Sequence, residues 1–397
     1  MLPRPDLSFT LPSIYDDTGL DCRIYHPVRQ EERWNTLHAA IIAHPYAPLG
    51  GCYDDPVVLL IGGILLQTGF VVVTFNFRGA SSSDGRTSWS SKPERADYMS
   101  VVGFVVYYMH YLHSPQRLPQ TTAGGRSPTL LFAGYSYGAM VTTQLPSLQS
   151  VLSQFASPAT HTAFADIRLR AQYLAGQVAG ASAAASPRRS QRVRVGGDED
   201  RSFLQHPHDN LRTGLSRQEI RGGVKDLLSK ATLAYMKIDC NSATQYKDRA
   251  REESRLEKVH DLIRYHSAYL VVSPPLGIAT NLATMSFPLS FSMWPMRKRS
   301  RIHPGGNDKT TKEQEATEAE DKLIANPVVV IYGNRDIFLS MRRIQDWTNR
   351  LCNVEGSNFH HIMIPGAGHF WAEDGVISKL SQAINSFASR LTQNQNH

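Results

Sequence analysis

Three residue types at particular places in this chain could do chemistry together: a serine between two glycines, a histidine near the end, and an aspartate between them in the chain. Gly134-Tyr135-Ser136-Tyr137-Gly138 follows an apolar run, Thr129 to Ala133, and precedes a helix expected from Ala139. In a G-x-S-x-G that turns from strand to helix, the serine backbone is strained. The flanking glycines, Gly134 and Gly138, let helix and strand approach. The strain lifts the hydroxyl out of the sheet, where a helix N-terminus favours an anion. A serine hydroxyl is a poor nucleophile without a base. The bland alternative for this motif is a tight turn with an inert serine.

His369 is the expected base. Fifteen histidines make a random one uninformative. His369 stands apart because it follows the last strand in Gly366-Ala367-Gly368-His369 and precedes the last helix. His360 and His361 lie one strand earlier and read as structural. The base needs a carboxylate to orient its ring. Asp336, in Gly333-Asn334-Arg335-Asp336, lies just past a strand and completes the order serine, acid, histidine. It could instead pair with Arg335 or cap the next helix. An oxyanion would need donors. The backbone N–H of Tyr137 is one. Pro45 of His44-Pro45-Tyr46 has no N–H, so Tyr46 is the second. His44 reads as a structural residue holding that loop, with a catalytic role as the alternative. The aromatics Tyr46, Tyr135, Tyr137, Phe370 and Trp371 would then gather near the serine and favour an apolar or aromatic acyl group, although core packing would explain some of them.

The elements that must position these residues follow from the patterning. Ser8 to Ile14 and Leu20 to Tyr25 flank Asp16-Asp17-Thr18-Gly19, the signature of a β-hairpin. A buried strand is expected at Leu37 to Ala43, a helix over 56–68, a strand over 70–76 and a helix over 95–112. Strands are expected again at Thr129 to Ala133, Ala268 to Ser273, Pro327 to Tyr332 and His361 to Ile364, and a last helix over 373–391. Alternating strands and helices imply a mainly parallel, doubly wound sheet. Residues 150–265 form a less legible insert, expected to be partly disordered and able to act as a lid, with helical pieces near 160–178 and 217–236. A second, polar insert over 297–323 is expected to be a disordered loop. The whole chain, 1–397, is otherwise expected to be one α/β domain.

Composition bounds the rest. The chain has 397 residues, 41% of them hydrophobic, enough for a sizeable core. Cys22, Cys52, Cys240 and Cys352 form no CxxC pair, so neither a zinc site nor a disulfide framework is suggested. The uncharged run over 56–77 is long enough to span a bilayer. Gly69 divides it into a helical and a β-branched half, so a helix feeding a buried strand is expected instead of a membrane span. The net charge of +7 is concentrated in runs at 188–194 and 297–301. These read as solvated loops, with a protein-partner contact or a nuclear signal as the alternatives. No nucleic-acid motif accompanies them. The N-terminus lacks the apolar core of a signal peptide, which points to the cytoplasm, with the nucleus as the alternative.

With these residues in view, the chain resembles the α/β-hydrolase superfamily over about 1–145 and 265–397. The resemblance is to the bacterial and fungal "alpha/beta superfamily" serine hydrolases. Those read H-P-h-P-x-x-G-G, N-F-R-G-x-x-x-S-x-G and G-x-S-x-G. Here the first is His44 to Gly51, with Pro48 one residue off the pattern, and the second is Asn76-Phe77-Arg78-Gly79 with Ser83 and Gly85. The resemblance implies the α/β-hydrolase fold and a hydrolase of an ester, thioester or amide of a small acyl substrate. It implies no metal and no organic cofactor. The fold also hosts non-catalytic members. A scaffold or regulatory subunit that binds partners through the inserts is therefore the competing expectation.

Overall fold

Central strands of a sheet covered on both faces read as unbroken apolar runs, and this chain supplies them in sequence. The computed structural model describes residues 2–27, 37–113, 127–184, 194–195, 214–215, 223, 227, 255–275 and 318–393. Strands β1 (Leu7–Pro12) and β2 (Gly19–Tyr25) form the N-terminal hairpin. Then come β3 (Ala39–Ala43), α1 (Pro56–Gln67), β4 (Val71–Phe75), α2 (Lys92–Leu112), β5 (Thr129–Tyr135) and α3 (Tyr137–Thr143). Helices α4 (Leu148–Phe155) and α5 (Ala163–Ala184) precede β6 (His266–Val272). The chain continues through α6 (318–325), β7 (Val328–Gly333), α7 (Met341–Cys352), β8 (Phe359–Ile364) and α8 (Val376–Gln393).

The eight strands form one sheet in the order β1-β2-β4-β3-β5-β6-β7-β8. β2 pairs antiparallel with β1 and with β4, and every other neighbour in this sheet is parallel. Side chains alternate across it. Val71, Val73 and Phe75 join the core beneath α2, α3 and α5, whereas Val72 joins the core beneath α1 and α8. The strand order and the serine-bearing turn between β5 and α3 are those of the α/β-hydrolase fold, as the sequence implied.

The uncharged run over 56–77 divides as its pattern predicts. Asp55 caps α1, Pro56 opens it, and Gly69, at φ +96°, turns the chain into β4. Among the described residues, no helix is long and apolar enough to cross a membrane. The polar loop expected over 297–323 needs correction at its end. Residues 318–325 are helical, and Leu323 is buried. Lys322 is buried too. Its Nζ donates to the carbonyls of Thr142, at 3.2 Å, and of Leu145, at the C-terminal end of α3. Burial, then the nearby Arg95, pushes its ammonium well below the usual lysine range. A charge-rich sequence hides this, because it reads as solvated whichever way its few apolar residues face. The runs at 188–193 and 297–301, Cys240, the piece near 217–236 apart from residues 223 and 227, and most of the 150–265 insert lie outside the described residues.

Candidate active site

The turn between β5 and α3 is built from close approaches. A side chain on Gly134 would strike the Gly138 carbonyl, and one on Gly138 would strike the carbonyls of Ala43 and His44. The strand, the helix and β3 can meet only if both positions are bare. Between them Ser136 sits at φ +55°, ψ −120°, a strained conformation for a residue with a β-carbon. Its backbone is nevertheless satisfied. The N–H donates to Val272 O at 2.9 Å, and the carbonyl accepts from Met140 N at 3.1 Å. The strain therefore fixes one direction for the hydroxyl.

That direction leads to His369. Ser136 Oγ lies 2.8 Å from His369 Nε2. His369 Nδ1 lies 2.9 and 2.8 Å from the two carboxylate oxygens of Asp336. All three residues are buried, Ser136 the least, at 9% exposure. The structure thus brings the three sequence-predicted residues into one chain of hydrogen-bond contacts. Asp336 faces the ring, and α7 begins after Ser340 instead of Asp336.

The loops carrying acid and base are fastened to each other. Arg335 N donates to Ala367 O at 2.9 Å, and Gly366 N donates to Asn334 Oδ1 at 2.7 Å. A side chain at Gly333 would strike the Ala367 carbonyl. Asp336 Oδ1 also accepts the Phe338 N–H at 2.9 Å, which holds the carboxylate in an Asx turn. From below, Tyr135 donates its hydroxyl to His369 O at 2.8 Å and stacks on the imidazole at 5.7 Å between centroids.

The sequence did not single out Tyr135 for this bracing, since it reads as one aromatic of several beside the serine. Nor did it single out Asp55. That residue caps α1 by accepting from Val57 N at 2.8 Å and Val58 N at 3.4 Å. Burial holds its carboxyl above the usual range, and it lies near enough to His369 for the two to interact. The Asp-Pro pair that opens α1 signals a helix cap, and no local pattern could have announced the histidine.

Tyr137 follows the serine at the start of α3, and Tyr46 stands on the loop after β3. Their rings are 5.2 Å apart. Among the described residues, neither backbone N–H donates to another group of the protein. Tyr46 opens a 3-10 turn whose Leu49 and Gly51 N–H groups return to its carbonyl at 3.1 Å each. His44 holds this loop. Its Nδ1 meets Pro45 O at 2.6 Å, and its Nε2 accepts the Phe77 N–H at 2.8 Å. The N-F-R-G segment anchors the same loop from behind. Asn76 Oδ1 accepts from Tyr53 N at 2.9 Å, and Arg78 forms paired hydrogen bonds with Asp97 at 2.9 and 2.6 Å and with Asp16 at 2.8 and 3.2 Å.

The expected aromatic cluster needs correction. Tyr135 and Trp371 are each only 2% exposed and belong to the core below the site. Trp371 sits at φ +58°. Phe370 remains outside.

Comparison with known proteins gives likenesses of structure alone. No family model and no curated protein matches the chain. An alpha-beta serine hydrolase homologue from Coxiella burnetii is similar at 14% identity and a TM-score of 0.43, over 97% of each chain. A serine hydrolase without a lid from Xanthomonas campestris is similar at 16% identity and a TM-score of 0.42, over 98% of this chain and 96% of that one. Est1E from Butyrivibrio proteoclasticus, solved with ferulic acid bound, is similar at 12% identity and a TM-score of 0.43, over 98% of each.

Proposed function

We propose that this chain is a serine hydrolase that cleaves an ester, thioester or amide through a covalent acyl-enzyme. The observation that supports it most is the continuous contact from Ser136 Oγ through His369 to Asp336, at 2.8 Å on each side of the ring. Nothing in packing alone requires a strained serine to aim at a carboxylate-held imidazole.

In this reading His369 Nε2 takes the hydroxyl proton as Ser136 Oγ attacks the substrate carbonyl. Asp336 stabilises the imidazolium and fixes the tautomer with hydrogen on Nδ1. The carbonyl oxygen, now an anion, is held by the N–H groups of Tyr46 and Tyr137. Collapse of the intermediate breaks the bond to the leaving group, which receives the proton from Nε2. Water, deprotonated by the same nitrogen, then attacks the acyl-enzyme and restores Ser136.

Labelling with a fluorophosphonate, which traps only an activated serine, tests the reading. The wild type is expected to label and Ser136→Ala to remain unlabelled. A folded wild type that does not label would refute it and leave the scaffold reading standing.

A further inference from the structure

The base of a serine hydrolase meets two heteroatoms in turn. His369 Nε2 takes a proton from Ser136 Oγ and hands it to the departing oxygen or nitrogen. Side chains on the exposed rim of that imidazole therefore border the leaving group. The acyl carbon is bonded to Ser136 Oγ, and in the reading above its oxygen faces the N–H groups of Tyr46 and Tyr137.

Two phenyl groups border the ring of His369. Phe338 meets its ring edge-on at 4.7 Å and Phe370 does so at 5.4 Å, with 6.1 Å between the two phenyl groups. Phe370 is 66% exposed and Ile337, between Asp336 and Phe338, is 80% exposed. These residues come from two separate loops, one carrying the acid and one the base. Single exposed apolar residues need no explanation. Phe338 and Phe370 meet the base from independent loops, and exposed Ile337 adjoins Phe338 in the chain, so the acid and base loops together offer apolar surface at the site.

We propose that Phe370, Ile337 and the edge of Phe338 form the leaving-group subsite, so that this enzyme selects esters of bulky apolar alcohols. The proposal rests on the serine hydrolase reading above. The apolar part of the alcohol lies against these side chains while its oxygen receives the proton from His369. Once the alcohol has left, the subsite is empty of substrate, so it acts on acylation.

The test uses the full chain and acetate esters of methyl, butyl and benzyl alcohol. In the wild type, kcat/KM is expected to rise by about 10-fold or more from methyl to benzyl, the discrimination an apolar pocket supplies. Phe370→Ser and Ile337→Ser should flatten that gradient, and Phe370→Leu should retain it. Pre-steady-state measurements should place the loss in formation of the acetyl-enzyme. A gradient that survives in the doubly substituted Phe370→Ser, Ile337→Ser protein overturns the proposal. So does a loss that follows acyl length in a methyl ester series. A wild type that labels with fluorophosphonate but shows no alcohol gradient overturns this inference alone. One that neither labels nor turns over an ester overturns the reading of the site beneath it.

Discussion

Two buried histidines, His44 and His369, stand on loops at the same edge of the sheet, one after β3 and one after β8. His44 is wholly buried and His369 nearly so. Both rings use both nitrogens, and their partners differ in kind. His44 meets a carbonyl on Nδ1 and a backbone N–H on Nε2. An N–H pointing at Nε2 requires that nitrogen to be bare, so the proton sits on Nδ1 and the ring is neutral. Burial pushes its pKa down to about 4, only partly opposed by the Pro45 carbonyl. His369 has a carboxylate on Nδ1 and a hydroxyl on Nε2. The first offers a counter-charge to an imidazolium, and the second offers a proton. The difference teaches that burial does not assign a histidine its role. Partners that fix one protonation state make a brace. Partners that accommodate two make a candidate base.

The sharpest way to break the comparison is to remove each ring. His369→Ala is expected to lower ester turnover by roughly 10⁶-fold, the scale of losing the base of such a unit, with little change in the urea midpoint. His44→Ala should do the reverse. It strands the buried Phe77 N–H, at a cost of about 1–3 kcal/mol, and removes a hydrogen bond from the partly buried Pro45 carbonyl, while a folded fraction still labels with fluorophosphonate. If His44→Ala abolished labelling in fully folded protein, His44 would have to act in the chemistry as well as in the loop.

Acid should separate the two rings next. In the unfolded chain His44 takes its proton near pH 6.5, and in the folded protein only near pH 4. Between these values the unfolded state holds more protons, so stability falls as pH falls. The difference amounts to about 3 kcal/mol once pH is below both values. Urea unfolding from pH 7 to pH 4 should show wild-type stability falling towards that of His44→Asn, which lacks this contribution. Parallel curves would mean that His44 takes its proton at the same pH folded and unfolded, and its role as a neutral brace would fail.

How much of this was legible in the sequence depended on whether local pattern or distant contact decided the outcome. The central strands announced themselves because burial on both faces leaves an apolar run, as in Ala39–Ala43 and Val328–Gly333, whereas the edge strand β8, with His360 and His361, is largely exposed. Ser136, Asp336 and His369 were found because chain order and the ends of strands are local facts. A helix after Asp336 was expected, but without the bounds of α7. Its few apolar residues, Ile344 and Leu351 among them, are spread through a charged sequence. Helix α2 begins three residues earlier than expected, where Lys92 and Pro93 are followed by Glu94 in its first turn. Nothing local distinguishes Phe370 from Trp371. One is exposed and the other buried, and Trp371 adopts a left-handed backbone, which a tryptophan seldom signals.

The smallest effect sharpens the comparison most finely. His44 is held through its ring alone, whereas His369 is also braced from beneath, by the Tyr135 hydroxyl on its backbone carbonyl. Tyr135→Phe removes that hydrogen bond and keeps the stacked ring. Losing one buried hydrogen bond costs about 1 kcal/mol. If the bond sets the height of the imidazole above the sheet, the cost should fall on acylation as a roughly fivefold lower kcat, since that step needs Nε2 at hydrogen-bond distance from Ser136 Oγ. The urea midpoint should then shift only slightly. A variant that loses stability but keeps its kcat would show that Tyr135 packs the core without aligning the base. His369 would then resemble His44 more closely, as a ring positioned wholly by the partners of its two nitrogens.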